Sequence, residues 1–281
     1  MKRMQCIAWL LLLLLLLLSV PLVAQQGPIN PKQVALLRWY PVNYTGAAFS
    51  ANNPGDLAFD GANIWVATDD GLMKLRASDG ANLGTFNAPK GTLVFDGANI
   101  WVGTGDHVTK LRASDGANLG TFAVDPGVWS LAFDGANIWV TNYGSSTVTK
   151  LRASDGANLG TFAVGPFPAA LAFDGANIWV ANQELNGYWC TVTKLRASDG
   201  ANLGTFYVDW EPERIVFDGA NIWLTTSFEC GVTELRASDG AKLGSWWPGC
   251  WPYGLAFDGA NIWVAVAGEG VWGLHPGVTK M

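Results

Sequence analysis

Charge is scarce in this chain. Asp, Glu, Lys and Arg make up 14% of 281 residues, against 49% hydrophobic. Disordered tails and coiled coils need far more charge, so both are excluded. Basic residues are outnumbered 17 to 23, for a formal net charge of -6. Two of them, Lys2 and Arg3, lie in a segment expected to be removed. The remaining balance disfavours nucleic acid, because phosphate binding needs a basic surface. Helical patterning is missing too: outside the first 24 residues no window keeps a 3.6-residue apolar period over four turns, which excludes solenoids of paired helices. P-loop, HExxH, CxxC and GxSxG motifs are absent. A GxGxxG string does run from Gly268 to Gly273, but only eight residues follow it, too few for the helix of a dinucleotide-binding unit.

There is a single long hydrophobic run. Leucine fills every position from Leu10 to Leu18, after the positive Lys2-Arg3 pair and before Pro21 and the small Ala24. This is the layout of a secretory signal peptide. The expected organisation is therefore a signal peptide over 1–24, a short linker over 25–33 and one domain over 34–281. The mature protein is expected to be secreted or periplasmic, with no membrane attachment after cleavage.

What the sequence has in abundance is repetition. FDGANIW recurs with its aspartate at Asp60, Asp96, Asp134, Asp174, Asp218 and Asp258, in steps of 36, 38, 40, 44 and 40 residues. A second string close to VTKLRASDGANLGTF follows in five of the six copies. Each copy divides into four strand-like runs rich in Ile, Val, Trp, Phe and Thr. In the third these are 130–133, 137–142, 147–153 and 158–164, with Asp134-Gly135 and Asp155-Gly156 as hairpin turns. A four-stranded meander with a period near 40 is a propeller blade. The expected fold is an all-β, six-bladed β-propeller of four-stranded antiparallel blades. Val34–Phe49 reads as a degenerate hairpin that closes the last blade, removing its open edges. Val278-Thr279-Lys280 competes with it for the third-strand place.

Trp139-Val140-Thr141-Asn142 differs by one aromatic from a YVTN signature. Over residues 34–281 the chain resembles the YVTN/NHL-type β-propeller repeat family. The resemblance implies the propeller; members include binding platforms, enzymes and exported proteins. Related antibiotic lyases hold a metal with histidine and glutamate, and sugar lactonases use acidic and amide ligands. With only His107 and His275 in the chain, neither set of ligands carries over.

The six tryptophans of the repeat (Trp65, Trp101, Trp139, Trp179, Trp223 and Trp263) read as packing between blades, since all occupy one position. The DGA turns read as turn chemistry, not calcium loops. Lys150 and Arg152 read as surface residues copied by duplication. Differences between copies are more telling. One face carries the a–b and c–d turns, DGAN in ten cases of eleven. All length variation falls on the opposite face, in the b–c and d–a loops, which lengthen at 181–191, 245–254 and 265–277. These loops carry Glu184, Tyr188, Trp189, Trp210, Glu229, Trp251, Tyr253, Glu269 and Trp272, the candidate ligand-binding residues. Tryptophan and tyrosine with acids suit a sugar or peptide.

The expected function is thus a secreted, monomeric binding module for a protein, peptide or carbohydrate, without catalytic residues, metal or cofactor. The alternatives are a metal-assisted lyase or lactonase using Glu229 and Glu269, and a purely structural surface propeller. A zinc site from Cys190, Cys230, Cys250 and His275 would lack paired ligand spacing. Those three cysteines remain after signal removal, and Cys230 with Cys250, on one blade and one face, are the expected disulfide.

Overall fold

In a computed structural model the chain divides into residues 1–30 and a unit over Pro31–Met281. The structure describes residues 49–184, 190–208, 210–226, 231–268 and 277–281. Every regular element among them is a strand. Blade 1 is β1 (Leu57–Phe59), β2 (Asn63–Thr68), β3 (Gly71–Arg76) and β4 (Asn82–Phe86). Blade 2 is β5 (Thr92–Phe95), β6 (Asn99–Thr104), β7 (His107–Arg112) and β8 (Asn118–Ala123). Blade 3 follows with β9 (Val128–Phe133), β10 (Asn137–Asn142), β11 (Thr147–Arg152) and β12 (Asn158–Ala163). Blade 4 has β13 (Pro168–Phe173), β14 (Asn177–Asn182), β15 (Thr191–Arg196) and β16 (Asn202–Tyr207). Blade 5 has β17 (Pro212–Phe217), β18 (Asn221–Thr226), β19 (Gly231–Arg236) and β20 (Lys242–Trp246). Blade 6 contributes β21 (Cys250–Phe257), β22 (Ile262–Gly268) and β23 (Gly277–Lys280). Each sheet is an antiparallel meander in chain order, and the six form a β-propeller.

The first turn of each blade is built around its aspartate. Asp60 accepts the backbone amides of Ala62 and Asn63, the Asn63 side-chain amide, and Trp65 Nε1 at 2.8 Å. The indole contact recurs at 2.7–2.8 Å in all six blades. One carboxylate thereby satisfies the turn and the polar tip of a tryptophan that would be costly to bury bare. Trp65, Trp101, Trp139 and Trp179 are fully buried, as the packing reading expects.

Lys150 corrects the sequence reading, for it is buried. Its ammonium lies 5.2 Å from the centre of the Trp139 ring of its own blade. It also donates to the carbonyls of Ala197 (2.6 Å) and Ser198 (3.1 Å) in the next blade. Lys74, Lys110 and Lys194 do the same one blade on. The repeated lysine is an inter-blade tie, and its long apolar stem is what lets a cation reach that depth. In blade 5 Glu234 takes its place opposite Trp223 and accepts from Asn221 Nδ2 at 2.7 Å.

A second tie explains one glycine. Phe86, Phe122, Phe162 and Phe206 each lie across the second-turn glycine of the following blade: Gly116, Gly156, Gly200 and Gly240. These glycines have φ of 72–76°, and a Cβ on any of them would overlap the ring. Phe49 lies across Gly80 of blade 1 in the same way, so it fills the outer-strand place of the blade before the first. At the other end β23 pairs with β22, Lys280 opposite Trp263 as Lys74 is opposite Trp65. Of the two rival third strands, the C-terminal one is therefore paired in blade 6. Residues 34–48, the rest of the expected closing hairpin, lie outside the described residues.

Candidate ligand-binding face

The face made by the a–b and c–d turns has few free polar groups. Each second-turn arginine pairs with the aspartate three residues on, from Arg76–Asp79 at 2.8 Å to Arg236–Asp239 at 2.9 Å. An open cleft of about 740 Å³ lies between blades 2 and 3 on this side. Its polar lining is already engaged: Asp96 by Trp101, Lys110 by Ala153, Asn137 by Asp134, and Arg152 by Asp155. Burial on its own would raise the Asp60 carboxyl, but the Asn63, Trp65 and backbone donors outweigh it and hold the group below its ordinary value. The Trp263 indole does the same for Asp258. These carboxylates are structural anions.

The opposite face is built differently. Adjacent inner strands contact one another from β1 to β21, forming the inner ring. Five residues before each first-turn aspartate stands a position occupied in turn by Gly55, Gly91, Trp129, Ala169, Glu213 and Tyr253. In β13, β17 and β21 the register to the second strand shifts around Ala169, Glu213 and Tyr253, and in β9 around Trp129-Ser130. Such bulges re-aim a side chain away from the ladder. Trp129 is 58% exposed and Tyr253 51%. Blades 3 and 6 are three steps apart in a ring of six, so these two aromatics stand on opposite sides of the axis.

The segments leading into the first strands add a second layer. Asn53, Phe167 and Trp251 hold φ of 47°, 47° and 52° at equivalent positions before a proline, and Trp210 holds 29°. Left-handed backbone at a bulky residue costs on the order of 1–3 kcal/mol and clusters where function needs it. Phe167 ends an aromatic row: Trp129 stacks on Tyr143 with centroids 5.3 Å apart, and Tyr143 meets Phe167 at 5.0 Å. Backbone bonds fix the row. Gly127 N donates to Gly105 O and Tyr143 N to Gly127 O, both at 2.8 Å, and Gln183 N to Phe167 O at 3.1 Å. Gly127 is required there, since a Cβ would stand 2.6 Å from Gly144 N. At the matching end of the second strand in blades 3 and 4, Asn142 Oδ1 and Asn182 Oδ1 are buried acceptors with no donor among the described residues.

The sequence-predicted residues divide accordingly. Trp251 and Tyr253 are exposed, but on β21 and not in a loop, because that strand begins at Cys250. Glu184, in the b–c connection of blade 4, and Trp210, between blades 4 and 5, are partly exposed. Tyr188, Trp189, Glu229, Glu269, Trp272 and Cys230 lie outside the described residues, as does the Cys250 side chain, so the expected disulfide falls there too. Cys190 is buried. Burial pushes its thiol up, the Glu211 and Glu184 charges add to that, and a hydrogen bond with the Glu184 backbone opposes it. Sequence reasoning missed Trp129, Tyr143 and Phe167, since it followed loop length. Comparing the copies position by position would have found Trp129, alone with Tyr253 in being aromatic where the others have Gly, Ala or Glu.

Neither a family model nor a curated protein matches the chain. Solved structures do resemble it. Hydrazine synthase of Kuenenia stuttgartiensis has a TM-score of 0.64 at 15% identity, over 80% of this chain and 77% of that one. U3-55K has 0.65 at 16%, over 78% and 76%. BamB from Moraxella catarrhalis has 0.57 at 12%, over 75% and 69%. At such identities the likeness is one of fold.

Proposed function

We propose that the chain is an exported binding propeller of the YVTN/NHL type, holding a protein, peptide or carbohydrate ligand on its b–c and d–a face. The observation that supports this reading is the pair of exposed inner-ring aromatics, Trp129 and Tyr253, beside left-handed Phe167 and Trp251. An exposed aromatic on strained backbone contributes little to folding, whereas a rigid ring with two torsions suits recognition. Export rests on the Lys2–Ala24 pattern; among the described residues no helix is long and apolar enough to cross a membrane. The metal-assisted alternative relies on Glu229 and Glu269, which lie outside the described residues, and no three of His, Cys, Asp and Glu converge within them.

A combined glycan and peptide array on the purified mature protein tests the reading. The expected result is a selective hit that weakens in the double variant Trp129→Ala/Tyr253→Ala and persists in Arg152→Ala on the other face. No hit, or a hit indifferent to the double variant, would remove this face as the binding site.

A further inference from the structure

The two faces differ in charge as much as in aromatics. On the b–c and d–a face the described acids are Asp56, Asp69, Asp70, Asp106, Asp125, Glu184, Glu211 and Glu213: eight, against two bases, Lys90 and Arg214. The remaining described residues hold twelve acids and eleven bases, so they nearly cancel. Most of the net negative charge of the described chain is therefore on the b–c and d–a face. Partnering does not remove it. Of the acids on this face, Asp69 pairs with Lys90 at 3.0 Å and Asp106 lies 3.0 Å from His107 Nδ1, while Asp125 accepts from the neutral Thr147 hydroxyl at 3.1 Å. Arg214 donates to the neighbouring Glu213 carbonyl at 3.0 Å.

We propose that the occupant of this face is an extended, basic peptide segment of another protein, with lysine or arginine side chains seated over Trp129 and Tyr253. The proposal rests on the binding reading above and names its partner. Indole and phenol faces attract cations, Arg more often than Lys, and the field of unneutralised carboxylates strengthens and steers that contact. The same field repels acidic peptides and acidic polysaccharides. The inner-ring sequence shapes the path. At the equivalent positions of the other blades stand Gly55, Gly91 and Ala169, which carry no ring, and Glu213, which supplies a carboxylate in the blade before Tyr253's. A neutral glycan would use the aromatic faces but would leave the charge asymmetry without a purpose.

The test is fluorescence anisotropy with labelled peptides of about twelve residues, ~40 Å when extended. One has arginine at every third position in a Gly/Ser background; its matched controls carry glutamine or glutamate instead. Neutral linear oligosaccharides form a separate arm. The expected result is binding of the arginine peptide alone, weakening as salt rises. Trp129→Ala should reduce affinity about tenfold. The nearly isosteric Glu213→Gln should reduce it severalfold, and keeps the test valid if the tryptophan variant folds poorly. Asp155→Asn, which removes one charge from the other face, should leave it unchanged. If Asp155→Asn weakens binding as much as Glu213→Gln and Trp129→Ala does nothing, the interaction is diffuse charge and the proposal fails. If an oligosaccharide binds and the arginine peptide does not, the basic-peptide inference fails while the ligand face stands. If no probe binds here and the arrays are blank, both fall.

Discussion

The two faces of the propeller carry the same number of connections and use them in opposite ways. On the turn face each aspartate, arginine and indole N–H has a partner within its own blade, and Lys74, Lys110, Lys150 and Lys194 each have one in the next. Such a surface has been spent on folding. On the loop face the backbone of blades 3 and 4 is held through Gly127, Tyr143 and Gln183 and Asp56 ties blade 1 to Thr92 and Leu93 of blade 2, but Trp129, Trp251 and Tyr253 present exposed rings. Rigid backbone with uncommitted side chains is the physical condition for recognition, because binding then costs little ordering entropy.

Truncation separates the faces most sharply. Trp139→Ala removes a fully buried ring and leaves Asp134 without its indole donor. It should cost about 3–5 kcal/mol, read as a fall of about 10 °C or more in melting temperature. A loss under about 1 kcal/mol would mean that the repeated tryptophan is not a packing element. Next in size is Lys150→Met, which keeps the stem and removes the tie to Ala197 and Ser198. Two carbonyls then lose a donor, and a cost of about 1–3 kcal/mol is expected in chemical denaturation.

Acid should attack the turn face. Asp60 and Asp258 have carboxyls held below their unfolded values. Their contribution is complete above the ordinary carboxylate range and is lost as pH falls through their folded values. Stability measured from neutral pH downward should hold to about pH 4 and decline below it. The decline should be shallower in Asp60→Asn. Glu234 runs the other way: burial first, then the Asp218 charge, raise its carboxyl, opposed by the Asn221 hydrogen bond. A raised acid favours the fold while protonated and works against it once ionised. Glu234→Gln keeps the acceptor for Asn221 and should stabilise by a few tenths of a kcal/mol at pH 7, the gain vanishing at acid pH. A loss at pH 7 would show that the charge is compensated. Smallest of all, Trp129→Ala should change stability by no more than about 0.5 kcal/mol while altering binding. A large loss of stability would turn the aromatic row into a structural element and remove the contrast between the faces.

The blade was legible because it is written in local terms. Asp-Gly turns, strand-period runs and a repeat near 40 residues each act within a few residues of chain. Copies that agree with one another leave few alternative topologies. Trp65 and its equivalents were legible as packing for the same reason. Lys150 was not: its acceptors, Ala197 and Ser198, lie more than forty residues on, and a lysine in isolation reads as solvated. The loop face was legible in outline, through Trp251 and Tyr253, and illegible in detail. Loop length pointed to the later copies, while the stacked row joins Trp129 of strand β9 with Tyr143 and Phe167 of two connections in blades 3 and 4.

By itself, then, the sequence determined the repeating unit, its strand order, the turn at each Asp-Gly and the tryptophan that each blade buries, since all of these follow from short-range sterics and hydrophobic patterning. The tertiary structure decided what depends on neighbours brought together by the ring. It put lysines into the joints between blades and Phe49 on Gly80, where an earlier blade would place its phenylalanine. It also set the acids of six separate connections on the same face as two opposed aromatics. Those outcomes rest on distances between segments tens to hundreds of residues apart, which closure of the ring fixes and local preference does not.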